Sequence, residues 1–190
     1  MKYTLAADTH LYSKYEVPNI RQRVLDLPAN ENTMLLGDIV DLSCCDKNSL
    51  QNANRVHEYL EAKHGANYLD GNHDPDYPIG TFKTLNRIYF THGDIDANPI
   101  KWSKYRRKHL EKQGAGWFKK LFIMNTVSLF NELIGGKPKL DFFVRASCEA
   151  KKYNCHTYVG AHFHPKQLID VKYNGIRIVV VPQGITEIEL

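Results

Sequence analysis

The chain has 190 residues and a formal net charge of +4, with 43% apolar and 24% charged residues, enough for one core burying around 70% of the unfolded surface but not for a second full domain. A mean hydropathy of -0.45 argues against an integral membrane protein. The four cysteines, Cys44, Cys45, Cys148 and Cys155, include an adjacent pair and no C-x-x-C spacing, which argues against a disulfide framework or a zinc cluster and for reduced thiols.

Five times along the chain a short apolar run, too brief for a helix, ends directly in residues that bind metals or move protons. The first, Tyr3 to Ala7, follows Met1 with no basic and apolar leader, so a cytoplasmic location is expected. It ends in Asp8-Thr9-His10. Thr33 to Leu36 ends in Gly37-Asp38-Ile39-Val40-Asp41, and Tyr68-Leu69 precedes Gly71-Asn72-His73-Asp74. Between them Ser49 to His64 reads as a helix with Val56, Tyr59 and Leu60 on its apolar side. Ile88 to Thr91 precedes His92-Gly93-Asp94, and Tyr158 to Ala161 precedes His162-Phe163-His164. Strands alternating with helices predict an α/β fold, in which loops at the carboxyl ends of strands sit side by side and converge on one crevice.

From about Asn98 to Asn154 the pattern breaks into three predicted helices, interrupted at Gly114-Ala115-Gly116 and Gly135-Gly136-Lys137-Pro138, which reads as a helical insertion at about 98–154. After it, Gln167 to Lys172 and Ile176 to Val181 flank Asn174-Gly175, a strong two-residue hairpin signal. Thr186 to Leu190 is read as a further strand, so the chain closes in antiparallel β-structure.

The polar termini carry a recognisable donor set. Asp8 and His10 are two apart, so on a chain that stays extended both leave one face and grip one ion. Asp38 offers two oxygens that serve two cations at once. Asn72 adds a carbonyl oxygen and His92, His162 and His164 add imidazoles, a mixed set suited to Mn, Fe, Zn or Ni rather than calcium. Taken singly, each motif is as consistent with a turn or a packed histidine; taken together they use five of the nine histidines in one recurring context. His57, His64, His109 and His156 fall outside the pattern and are read as surface or satisfied groups.

In this order the motifs resemble the calcineurin-like metallophosphoesterases, whose pattern runs D-x-H, G-D-x-x-D, G-N-H-D or G-N-H-E, H-G-D and G-H-x-H. Ala161 stands where that family usually has glycine. The resemblance implies a four-layer α/β/β/α sandwich, two mixed sheets flanked by helices, in a single domain with a helical cap insertion. It implies two divalent metal ions, with Mn2+ placed first and Fe, Zn, Ni and Mg as alternatives. Asp8, His10 and His164 would hold one, Asn72, His92 and His162 the other, and Asp38 would bridge. It further implies hydrolysis of a phosphomonoester or phosphodiester by a metal-bridging hydroxide, with His73 as proton donor and Asp74 orienting it. Asp41 and Asp94 are read as residues that fix ligands or loops.

The insertion opens with eight basic residues within twenty positions. Lys101, Lys104, Arg106 and Lys108 are candidates for binding an anionic substrate, against the plainer reading of a solvated basic helix. From Trp117 to Ile134, eleven of eighteen residues are apolar, but Lys119, Lys120 and Glu132 forbid a membrane span. In placement and composition this segment is similar to the cap of UDP-2,3-diacylglucosamine pyrophosphohydrolases, although those enzymes carry arginine at the position of His73. Three readings therefore stand: a phosphoesterase on a nucleotide or small phosphodiester, a lipid-linked pyrophosphate hydrolase in peripheral contact with a membrane, and a catalytically weak module binding nucleic acid or protein.

Overall fold

Along the first run Tyr3, Leu5 and Ala7 alternate with Thr4 and Ala6, and a period of two sends these sets to opposite faces of a strand. The computed structural model describes residues 1–42, 49–74, 81–97 and 138–190. In it β1 (Lys2–Ala7) pairs in parallel with β2 (Thr33–Leu36), which pairs in parallel with β3 (Tyr68–Leu69). The last strand of the chain, β9 (Gly184–Glu189), returns antiparallel along the other side of β1 and completes a four-stranded sheet of order β3-β2-β1-β9.

The second sheet takes β4 (Phe82–Leu85), β5 (Ile88–Thr91), β6 (Thr157–Gly160), β7 (Ile169–Tyr173) and β8 (Ile176–Val180) in the order β4-β5-β6-β8-β7. Strands β5, β6 and β8 run parallel, and an antiparallel hairpin partner closes each edge. Both sheets are mixed. The predicted β7–β8 hairpin turns at Asn174 and Gly175, both with positive φ, the conformation a tight two-residue loop demands. The β4–β5 hairpin turns in the same way at Asn86 and Arg87. That strand escapes a reading of the sequence because Phe82-Lys83-Thr84-Leu85 is short and its loop lacks a glycine.

Leu5, Ala7, Met34, Leu36 and Leu69 of the first sheet share one apolar cluster with Phe90, Val159 and Val179 of the second, so the sheets meet face to face. The opposite face of the first sheet, Ala6, Leu35 and Tyr68, packs with Val24 of α1 (Arg21–Leu25) and with Ala53 and Leu60 of α2 (Leu50–His64). The far face of the second sheet, Tyr89, Tyr158, Ile178 and Val180, packs with Phe142, Ala146 and Ala150 of the last helix, Leu140–Lys152. Each such fully buried large side chain contributes about 1.5–3 kcal/mol, so these three clusters hold the mixed α/β fold together.

Two expectations change. The helix Leu140–Lys152, numbered α4 after the short α3 (Asp94–Ala97), is not part of an added cap: its apolar face closes one side of the second sheet. The rest of the expected insertion, including Lys101, Lys104, Arg106, Lys108 and Trp117 to Ile134, lies outside the described residues. On α2 the buried stripe runs through Ala53, His57, Leu60 and His64, while Tyr59 is half exposed. Among the described residues no helix is long and apolar enough to cross a membrane.

Candidate metal centre

The parallel strands β1, β2 and β3 of one sheet and β5 and β6 of the other end in the five polar motifs, so topology alone gathers them at one end of the two sheets. The local backbone is unusual there. Asp8, His10, Asp38, His162 and His164 all have φ between +47° and +70°. Each non-glycine residue in the left-handed region costs roughly 1 kcal/mol, a strain that concentrates at functional sites. Asp8 and His10 therefore do not share a face of an extended chain, as their spacing suggests; two left-handed residues curl the loop so that Asp8, His10 and His164 converge.

Gly71 meets the loop after β2. A Cβ on Gly71 would collide with the Asp38 side chain and its backbone N, and a Cβ on Gly37 would lie 2.8 Å from Gly71 Cα. Absence of a side chain, rather than a bend, is what Gly71 supplies. Across this contact the loops clasp each other: Asp38 Oδ1 accepts the His73 N–H at 2.7 Å, and Asp74 Oδ1 accepts the Asp38 N–H at 3.1 Å and the Gly71 N–H at 2.6 Å. Asp74 Oδ2 accepts from Ile39 N at 3.2 Å and the Tyr68 hydroxyl at 3.1 Å. Asp74 is thus a clasp between loops and not the orienter of His73, a correction that follows from all four of its hydrogen bonds. Gly71→Ala is expected to force Asp38 aside, lowering stability by about 1–3 kcal/mol. An unchanged melting temperature would show that the loops do not need this contact.

The orienter of His73 is Asp41. Its Oδ1 lies 3.2 Å from His73 Nδ1 and its Oδ2 3.4 Å from His10 Nδ1, so one buried carboxylate holds two imidazoles. Burial works against the charge of Asp41, but His73 and His10 outweigh it and hold the carboxyl well below the ordinary range. His10 Nε2 is buried with no hydrogen-bond partner among the described residues, which costs free energy unless something cationic takes it.

His92 is the centre of the second group. Its Nδ1 lies 2.8 Å from the Leu36 carbonyl oxygen, and a carbonyl only accepts, so Nδ1 carries a proton. The other nitrogen, Nε2, then faces Asp38 Oδ2 at 3.3 Å, Asn72 Oδ1 at 3.2 Å and His162 Nδ1 at 3.3 Å. Burial lowers the His92 pKa, but Asp38 and then Asp8 overcome it and lift it to about 10. Burial and the charge on His92 push His162 down to about 4, leaving it neutral and able to donate a lone pair. Lone-pair atoms converging on one buried point repel unless a proton or a metal cation sits among them; in the metal-free protein the proton on His92 does so.

A second convergence lies alongside. His164 Nε2 is 3.0 Å from Asp8 Oδ1, and Asp8 Oδ2 accepts the His162 backbone N–H at 3.0 Å. Burial pushes Asp8 upward, yet His164 and His92 hold it far below the ordinary range, and Asp38 behaves likewise with His92 and His73 opposing its burial. Asp8, His10 and His164 form one group of potential ligands within 4.8 Å of one another, Asp38, His92 and His162 a second, and His10, Asp38 and His73 a third that joins them. Four buried carboxylates, Asp8, Asp38, Asp41 and Asp74, are costly without compensating cations. The clustered carboxylate oxygens and imidazole nitrogens around Asp38 are of the mixed kind that can hold divalent cations.

Because the folded-state pKa of His92 is raised, its contribution to stability is present in full below the unfolded value of 6.5 and is lost as pH climbs through about 10. The protein free of divalent cations is expected to melt at progressively lower temperature across that window, and a cation that took the place of the His92 proton would bind more tightly as pH rises. Thermal unfolding of stripped protein across pH, with calorimetry in buffers of different ionisation enthalpy, checks both. A flat melting profile and binding without proton release would contradict this account of the site.

The structure brings together all seven expected ligands, Asp8, His10, Asp38, Asn72, His92, His162 and His164, with His73 beside them; the His10 and His73 rings are 4.8 Å apart. Ala161, in the glycine position, puts its methyl into the cluster between the sheets and donates its N–H to the His92 carbonyl at 2.9 Å, so the loop accommodates it. Tyr15, whose ring lies 6.2 Å from that of His10, and Tyr68, which reaches Asp74, are neighbours that no motif announces. Neither a protein-family model nor a curated protein matches this sequence.

Proposed function

We propose that the chain is a dinuclear metal-dependent phosphoesterase of the calcineurin-like kind, built as a four-layer α/β/β/α sandwich, acting on a phosphomonoester or phosphodiester. The observation that carries the reading is the convergence on His92 Nε2 of Asp38 Oδ2, Asn72 Oδ1 and His162 Nδ1, with Asp8 and His164 paired alongside. Sheets that share a core cluster and carry helices on their outer faces agree with the sandwich.

In this reading Asp8, His10 and His164 would hold one cation, Asn72, His92 and His162 the other, with Asp38 available to both. The cations would supply charge neutralisation at the phosphate and an acidified water. The chain's own groups do the rest. The Leu36 carbonyl fixes the His92 tautomer so that Nε2 is the ligating nitrogen. Asp41, on His73 Nδ1, orients that ring and leaves Nε2 as the nitrogen that gives its proton to the departing oxygen. The His73 side chain is 14% exposed while Asp41 is fully buried, which suits a donor that meets substrate and a partner that does not.

The test is metal-stripped protein reconstituted with Mn2+, Mg2+, Zn2+ or Ni2+ and assayed on a phosphomonoester, a phosphodiester, a cyclic nucleotide and a UDP-linked lipid. Turnover of a monoester or diester that needs added metal supports the proposal. Metal binding without turnover of any of them would leave a binding module in its place.

A further inference from the structure

Behind Asp74 lie two buried polar side chains, His57 and Tyr68, that none of the five motifs contains. His57 on α2 and Tyr68 on β3 are each 1% exposed, and their rings pack at 5.0 Å between centroids. His57 Nδ1 is 2.9 Å from the Tyr68 oxygen, and that hydroxyl donates to Asp74 Oδ2 at 3.1 Å. A phenol has one proton; given to Asp74, it leaves the oxygen as acceptor, so His57 donates from Nδ1. The direction of the chain is then fixed: His57 to Tyr68 to Asp74, and from Asp74 to the backbone N–H groups of Gly71, Asp38 and Ile39.

Three backbone N–H groups and the phenol all point donors at the Asp74 carboxylate. Supporting that charge falls to Tyr68 and, through it, to His57. Both lie on regular elements, which hold geometry better than the loops they brace.

We propose that His57 and Tyr68 are positioning residues of the metal centre, acting through Asp74 on the two loops that carry Asp38 and Asn72. This rests on the metal-centre reading above but extends it to residues that touch neither metal nor substrate. Outer partners of this kind typically change metal affinity or activity about 10- to 100-fold.

The test is Mn2+ binding by titration calorimetry on stripped protein, with circular dichroism to verify folding. Tyr68→Phe is expected to bind about tenfold more weakly, and His57→Leu to bind more weakly by a smaller factor. Their combination should be no worse than Tyr68→Phe alone, since the effect of His57 passes through the phenol. His57→Asn, which keeps a donor near the Nδ1 position, should recover most of the wild-type affinity.

Lower melting temperatures with unchanged Mn2+ affinity would overturn the inference and reduce the chain to packing. So would additive losses in the double variant. Wild-type protein that binds no divalent cation would overturn the metal-centre reading itself, a result distinguishable from both.

Discussion

If the centre proposed above is right, Asp38→Asn is expected to leave a folded protein that binds divalent cations far more weakly. The substitution preserves shape and an oxygen for the His73 N–H, at 2.7 Å from Asp38 Oδ1, but removes the carboxylate charge that the His92–His162 group shares with the His10–His73 group. A unit charge pair at 4 Å in an effective dielectric of 20 is worth about 4 kcal/mol, which is roughly a thousandfold in a binding constant. That loss outweighs anything Asn recovers as a neutral ligand. In the stripped protein the effect on His92 is of opposite practical sign: with Asp38 Oδ2 at 3.3 Å gone as a charge, less holds the proton on His92. Mn2+ titration should show at least about a hundredfold weaker binding, with activity lost in parallel and little change in circular dichroism. Wild-type affinity in this variant would remove Asp38 from the centre and with it the dinuclear arrangement.

The strands were legible because their signals are local. Thr33–Leu36, Tyr68–Leu69 and Ile88–Thr91 fall where short apolar runs meet glycine or charged residues, and Asn174-Gly175 announces its hairpin. The clustering of the five motifs was legible for a related reason: topology places the end of each parallel strand beside the others, so order along the chain implies nearness in space. What stayed hidden depends on contacts between distant residues. Gly71 reads as a turn until the loop around Asp38 is seen against it, and Asp74 reads as the neighbour of His73 although its partners lie on two other segments. His57 and His64 interrupt the apolar pattern of α2 in sequence yet lie on its buried face, where Tyr68 receives the first of them. Helix α4 reads in sequence as part of an insertion because its amphipathic face gives no hint of which sheet it covers.

On the proposed reading, His73→Ala is expected to leave divalent-cation affinity intact and to lose about 10²- to 10⁴-fold in rate, the range for removal of a general acid. The separation is geometric. His73 adds a ring nitrogen to one of the potential ligand groups, but Asp38 and His10 in that group also belong to the other two, so its loss dismantles neither pair of partners around Asp8 and His92. Asp41→Asn should fall between His73→Ala and wild type, because the amide keeps an oxygen near His73 Nδ1 but lacks the ionised carboxylate that holds both His73 and His10. Leaving-group chemistry then separates proton donation from mere positioning. An alkyl phosphate needs its departing oxygen protonated, whereas p-nitrophenolate departs without help, so the loss in His73→Ala should be large on the first and shrink toward unity on the second. Equal losses on both substrates with Mn2+ affinity intact would make His73 a phosphate-binding group. Loss of Mn2+ binding equal to that in Asp38→Asn would make it a ligand.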